Sequence, residues 1–525
     1  MVSIDRAAMR FIPAAIVLHA NATGSMPGST TTNTWQTAAV DMGEAQAHRH
    51  PALSRGVLTR GTYRLWLRCA FIRFVLCKLG ARQIQYLAPP SVKVYAKWVS
   101  RKRGELRGQL GQDLQTSTKQ SLSIITATTA TTATTTTATI QQELDRVKYD
   151  VEVLGDRKSS LMWLGRREKA GKVVLFFHGG GYIAPLTPGH VTCCWNAYIL
   201  PSLSKPSATP RNTGTHGRKQ DQLDEEEEEE EIAVAMLAYT LAPGSKYPEQ
   251  LSQAAAALEH LLSTPDRYHR GGHGFKPSQI IIGGDSAGGN LAAALLSHLL
   301  HPCPHARPSV PRIRLEEPLA AAFLVSPLAS RRDTSSDGAA VGGGSARVNR
   351  NMDMLSPAAV DLAARELMSD AEGGGMWGFP ADHVAVGAGG SEKAAWFKDL
   401  GKVAGKVYIT AGKQELLLDQ CVRLAGMMGW KGKGKKEDTG VDVGGGEGMG
   451  VVADVRLNIA EEEAHDFILV EAMEGMVGDA TTRMIEWVGS AWEKGPGEEE
   501  GGEGYVDGDK TEAKDGSLED SLVLC

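Results

Sequence analysis

The stretch Gly284-Asp285-Ser286-Ala287-Gly288 lies between an apolar, strand-like run (Gln279 to Ile282) and a helix-like run (Leu291 to Leu300). A serine held between glycines where a strand turns into a helix is forced into a cramped backbone conformation, and its hydroxyl is lifted clear of the sheet. The pentapeptide alone is weak, because 60 glycines in 525 residues supply about 0.4 such matches by chance. Support comes from His178-Gly179-Gly180-Gly181-Tyr182, which follows the run Val173 to Phe177 and for which chance gives about 0.02 matches. Both motifs end a strand of the buried type.

Together they point to acyl transfer. An ester under attack passes through a tetrahedral oxyanion, and backbone N–H groups aimed at that oxygen lower the barrier, about 3 kcal/mol for one donor. Glycines allow the main chain to come that close. The expected donors are the N–H groups of Gly179, Gly180 and Ala287, with His178, Gly181, Asp285 and Gly288 as supporting positions of the two motifs.

These residues resemble the hormone-sensitive-lipase-like branch of the α/β-hydrolases, marked by H-G-G-G and G-D-S-A-G-G. Tyr239-Thr240-Leu241-Ala242-Pro243, with Tyr247-Pro248 after it, resembles a third mark of that family. The resemblance covers roughly residues 147 to 495. It implies an eight-stranded, mostly parallel sheet, esterase or lipase activity, and no cofactor.

A serine hydroxyl needs a histidine base, and the base needs a carboxylate that fixes its tautomer. The chain order in α/β-hydrolases is serine, acid, histidine. After Ser286, the strand-like run Gly405 to Thr410 leads to Glu415, where the family places an acid, with Asp419 as the alternative. A later strand-like run, Val452 to Ile459, leads to His465, followed two positions on by Phe467 as in the family pattern. Asp466 is set aside, because a carboxylate adjacent in sequence rarely folds back onto its neighbour's imidazole.

The coarse fold is α/β. Strands near 148–154, 173–178, 232–239, 279–284, 320–326, 405–410 and 451–459 alternate with helices near 189–200, 249–264, 287–300, 356–368, 416–428 and 479–493, a pattern that builds a parallel sheet covered on both faces. The domain reading is an N-terminal region with a cap helix (1–115), a Thr/Ala-rich linker (116–146), a catalytic domain (147–495), and an acidic, disordered tail (496–525). Within the catalytic domain, 202–231 reads as a disordered insert whose acidic block runs from Asp224 to Glu231, 431–450 as a flexible loop, and 350–400 as a cap element.

At net charge −6 the chain lacks the basic face of a duplex binder, so no nucleic-acid partner is expected. Its seven cysteines show no C-x-x-C spacing, which indicates neither a metal site nor a disulfide framework, and buried free thiols are expected. Residues 1 to 22 loosely imitate a secretory signal but are interrupted by Pro13, no apolar run is long enough to span a membrane, and a cytoplasmic or membrane-surface location is favoured. In the segment 59–83, Arg60, Arg64, Arg68, Lys78 and Arg82 fall in one stripe of an amphipathic helix, which suits a cap over the site, a peripheral contact with an anionic membrane, or both. Arg73 on the opposite face counts against deep insertion. Tyr182, Trp377 and Trp396 are candidate walls of an apolar substrate pocket.

The expected function is hydrolysis of an apolar carboxylic ester by Ser286, His465 and Glu415. The alternatives are a steryl- or acetyl-ester deacetylase, another acyl hydrolase acting on a lactone, thioester or amide, or a binding protein on the same fold that has lost catalysis.

Overall fold

The computed structural model describes residues 60–120, 127–203, 231–263, 274–304, 309–331, 344–368, 375–383, 396–431 and 451–493. Eight strands form one sheet in the order β1-β2-β4-β3-β5-β6-β7-β8. They are β1 (Val151–Val153), β2 (Ser160–Leu164), β3 (Ala170–Phe177), β4 (Glu231–Ala238), β5 (Ile280–Asp285), β6 (Leu319–Val325), β7 (Ala404–Gly412) and β8 (Asp454–Ala460). β2 runs antiparallel to both β1 and β4, and all pairings from β4 to β8 are parallel.

Alternation along the central strands divides the core in two. Val173, Leu175, Phe177, Ile280 and Ile282 face one layer with Leu251, Leu258, Leu291, Leu295 and Leu424. Val174, Phe176 and Ile281 face the other with Trp98, Leu106, Val191, Met484 and Val488. Strands buried on both faces are continuous apolar runs, which is why Val173 to Phe177 and Ile280 to Ile282 stand out in the sequence. The helix Ala287–Leu300 is buried along nearly its whole length, in keeping with its lack of a polar face.

Two sequence expectations change here. The seven anticipated strands omit β2, whose short apolar run Leu161–Leu164 is as buried as those of the central strands. The stretch 116–146, expected as a linker, carries the end of a long helix, Ser91–Gln120, and a second helix, Ala127–Arg146. Low apolar content argued for disorder, but Ile140 and Leu144 supply the missing anchor. Both are buried beside Val94, Trp98, Val99 and Leu106 of the long helix, in the same cluster as Val174 and Phe176 of the sheet. Arg103 adds a bond from Nη1 to Leu144 O at 3.0 Å. The N-terminal helices therefore share a core with the sheet and do not stand apart from it.

The acidic block also ends in order. Glu231 opens β4 and pairs with Arg146 (3.0 Å) and with Arg166. The rest of that insert from 204, residues 432–450, the tail from 494, and the signal-like residues 1–22 lie outside the described residues.

The amphipathic segment near 59–83 is two helices, Arg60–Lys78 and Ala81–Leu87, broken at Gly80, so Arg82 is not on the same helix as Lys78. Arg73 Nη1 donates to Asp353 O at 2.6 Å, and the Cys77 thiol lies 3.1 Å from Ser356 Oγ. Gln85 donates to Ile183 O and Ala242 O at 3.0 and 2.6 Å. These contacts set the pair of helices over the loop after β3 and beside the helix Pro357–Leu367, where a cap is expected. Among the described cysteines, Cys77 is exposed and the rest are buried, and none is in a disulfide.

Candidate active site

Ser286, Gly179, Glu415 and His465 all follow carboxyl ends of parallel strands, namely β5, β3, β7 and β8, the side on which open α/β sheets hold ligands. Ser286 sits at φ 50°, ψ −114°, a conformation that persists only when the surroundings enforce it. The enforcement is visible below it. A Cβ on either Gly284 or Gly288 would collide with Phe177 O, so the end of β3 presses against the turn and only glycine fits at both positions.

His465 Nε2 lies 2.9 Å from Ser286 Oγ, across 179 residues of sequence. The serine is 5% exposed and the histidine 1%. The far side of the imidazole differs from expectation, because Nδ1 is buried with no hydrogen-bond partner. Glu415 is buried nearby, but its Oε2 accepts from Ser326 Oγ at 2.6 Å and from the Gly412 N–H at 2.9 Å. Burial pushes Glu415 up to about 7, with the charge of His465 and the Ser326 bond pulling the other way. Asp419 accepts from the Ser345 N–H at 2.8 Å and so braces the segment after Gly344.

Two further carboxylates surround the histidine. Asp466 does fold back, overturning the expectation that it would not. Its Oδ2 lies 3.3 Å from His465 Nε2, since a left-handed φ of 51° curls the residue toward its predecessor. Asp353 is fully buried, accepts from the Leu416 N–H next to Glu415, and acts on His465 electrostatically. Nothing in the run Asn351-Met352-Asp353-Met354 signals such a place, and only the tertiary structure reveals it. Burial disfavours a charged imidazole, but Asp466, Asp353 and Glu415 together outweigh it and raise His465. Burial raises Asp466 in turn.

The glycine loop also departs from the expectation. The Gly179 N–H is already donated to Asp285 Oδ1 at 3.1 Å, so it is not open to an oxyanion. Sequence order counts the glycine amides equally and cannot see the carboxylate beneath them. Gly180 and Gly181 then turn through φ 105° and 61°, and their N–H groups, like that of Ala287, donate to no acceptor among the described residues. His178 is wholly buried and lowered to about 4, chiefly by burial and then by His190; its ring stacks on Tyr239 at 4.3 Å.

Of the pocket candidates, Tyr182 lies beside the site. Its hydroxyl donates to Asn290 Oδ1 at 2.6 Å, one turn along the helix from Ser286, and Asn290 Nδ2 donates to Gly378 O at 2.9 Å. Trp377 and Trp396 do not belong there. Trp377 Nε1 donates to His301 O at 2.7 Å and the Trp396 ring packs 4.1 Å from the His301 ring. His301 follows the opposite end of the helix Ala287–Leu300, about 20 Å from its start at 1.5 Å per residue. The two indoles pack the core there. The helix Pro357–Leu367 reaches the site instead, since a Cβ on Gly181 would stand 3.0 Å from Ala363 Cβ.

An eight-stranded, mostly parallel sheet with a strained serine after β5 and a histidine after β8 defines an α/β-hydrolase fold. A family model described as alpha/beta hydrolase fold matches residues 215–436. Over 183 residues it is 28% identical to arylacetamide deacetylase-like 3 of Mus musculus, covering 35% of this chain and 32% of that protein. Over 81 residues it is 35% identical to an α/β-hydrolase of Acanthamoeba polyphaga mimivirus, covering 15% of this chain and 21% of that one. The chain thus spans about a third or less of the length of these curated relatives. Among solved structures, an esterase/lipase from an uncultured bacterium is similar at TM-score 0.40 and 21% identity, over 66% of this chain and 85% of that chain.

Proposed function

We propose that this protein is a serine hydrolase of carboxylic esters. The observation that carries the reading is the 2.9 Å approach of His465 Nε2 to Ser286 Oγ, on a turn strained by glycine contacts and beside unengaged backbone N–H groups. Ser286 attacks the ester carbonyl as His465 takes its proton. The oxyanion is held by the N–H groups of Gly180, Gly181 and Ala287. His465 then passes the proton to the leaving alcohol, and water activated by the same base releases the acid.

Glu415 is the acid of this scheme, supported by its place after β7 and its electrostatic action on His465. Reorientation of its carboxylate from Ser326 toward Nδ1 completes the triad as the imidazolium forms, and Asp353 adds negative charge to the same side. A non-catalytic binding role is disfavoured by the presence of the base. The deacetylase in the name of the mouse relative supports acetyl esters and aryl amides as substrates to set beside simple alkyl esters. Exposed Leu67, Phe71 and Phe74 on the cap helix favour, in addition, a peripheral contact with a lipid surface.

Ser286→Ala is expected to abolish hydrolysis of p-nitrophenyl acetate and butyrate and labelling by a fluorophosphonate probe, while circular dichroism stays that of the parent. Turnover surviving in the variant removes Ser286 from the mechanism.

A further inference from the structure

We infer that His190 and Asp285 form a clamp that sets the oxyanion loop, with His190 a positioning residue for the reaction; its catalytic consequence rests on the ester-hydrolase reading above. Asp285 is the last residue of β5 and is fully buried. Its two oxygens serve different elements. Oδ1 accepts the Gly179 N–H at 3.1 Å, and Oδ2 lies 3.1 Å from His190 Nε2. A Cβ on Gly179 would collide with Oδ2, so the loop rests directly on the carboxylate.

The tautomer of His190 follows from its other nitrogen. His190 is the third residue of the helix Pro188–Cys194, and Nδ1 accepts the Thr187 N–H at 3.0 Å in a capping box. A ring nitrogen that accepts a backbone N–H carries no proton, so the proton of the neutral imidazole is on Nε2 and is donated to Asp285. The start of this helix therefore orients the imidazole, the imidazole orients the carboxylate, and the carboxylate fixes Gly179. The next two amides, at Gly180 and Gly181, are the unengaged ones. Their positions are set one residue upstream by a side chain that never meets substrate. Besides Asp285, the ionisable neighbours acting on His190 include Asp466, while the His178 ring packs edge-on at 5.8 Å.

The test compares His190→Leu, which deletes the donor, with His190→Gln, whose amide caps Thr187 through Oε1 and donates to Asp285 through Nε2. In the full chain, His190→Leu is expected to lower kcat on p-nitrophenyl butyrate about 10- to 100-fold with KM within about threefold, because the donors act mainly in the transition state. Amide hydrogen exchange across Gly179–Tyr182 should quicken in the same variant. His190→Gln should keep kcat within about fivefold and leave that exchange unchanged. Asp285→Asn, which is isosteric, is expected to match the leucine variant and replaces it should that variant not fold. Parent-like kcat and exchange in His190→Leu, or equal losses in the Leu and Gln variants, overturn the clamp. A parent that hydrolyses no ester refutes the proposed function instead, and the exchange comparison still decides the clamp.

Discussion

At the scale of single residues, the site combines one reactive hydroxyl with an excess of buried negative charge. Glu415, Asp353, Asp466 and Asp285 all lie in the neighbourhood of His465 or of its partners. In the proposed mechanism such surroundings favour the imidazolium that forms when Ser286 loses its proton, and they also raise the pH at which His465 becomes neutral. Only the neutral imidazole accepts the proton, so activity climbs as pH rises through the raised value. Removing the Asp466 charge lowers that value, and Asp466→Asn is therefore expected to move the acid limb of kcat/KM to lower pH by about one unit. A pH–rate profile measured on a short ester checks this, and an acid limb unmoved or displaced upward contradicts it. Ser286 and His465 were legible in the sequence because glycine spacing and strand order constrain them strongly. Asp353, His190 and the curl of Asp466 were not, because each depends on a tertiary contact or a backbone angle that no local pattern encodes.

Among the elements, the central strands were the most legible. The central strands announce themselves as unbroken apolar runs because both faces are covered, whereas β2 is short and sits just after a turn. The Thr/Ala segment failed for a different reason. Threonine, a poor helix former, outnumbers alanine there, so the helix rests on tertiary docking, with Ile140 and Leu144 as its buried large apolar residues. Leu144 is one of those two, buried against the helix Ser91–Gln120. Leu144→Ala should cost about 2 to 4 kcal/mol by loss of contact and by the cavity left behind. Chemical denaturation checks the figure, and a change below about 0.5 kcal/mol shows that the helix contributes little to the fold.

For the whole molecule, the helix Arg60–Lys78 has two unlike sides. One grips the domain through Arg73 and Cys77, and the other presents Leu67, Phe71 and Phe74, the last 62% exposed, with Lys78 beside them. Arg73 does not weigh against a lipid contact after all, since it is committed to Asp353 and faces inward. Aromatic side chains mixed with cations suit the boundary between headgroups and acyl chains. The double substitution Phe71→Ser and Phe74→Ser is expected to reduce co-sedimentation with liposomes containing anionic lipid at least fivefold, leaving hydrolysis of a soluble ester within about twofold. Equal sedimentation of parent and variant rules this face out as the contact.

The Arg73 tether ties that surface to the chemistry. It ends on the backbone of the residue whose carboxylate braces Leu416, immediately beside Glu415, the proposed acid. The guanidinium of Arg73 thus links the helix Arg60–Lys78 to the loop whose Asp353 acts electrostatically on His465. If the proposed lipid contact holds, docking and the poise of the imidazole would share one mechanical path, and a shortened protein lacking this helix would lose a strut of that path.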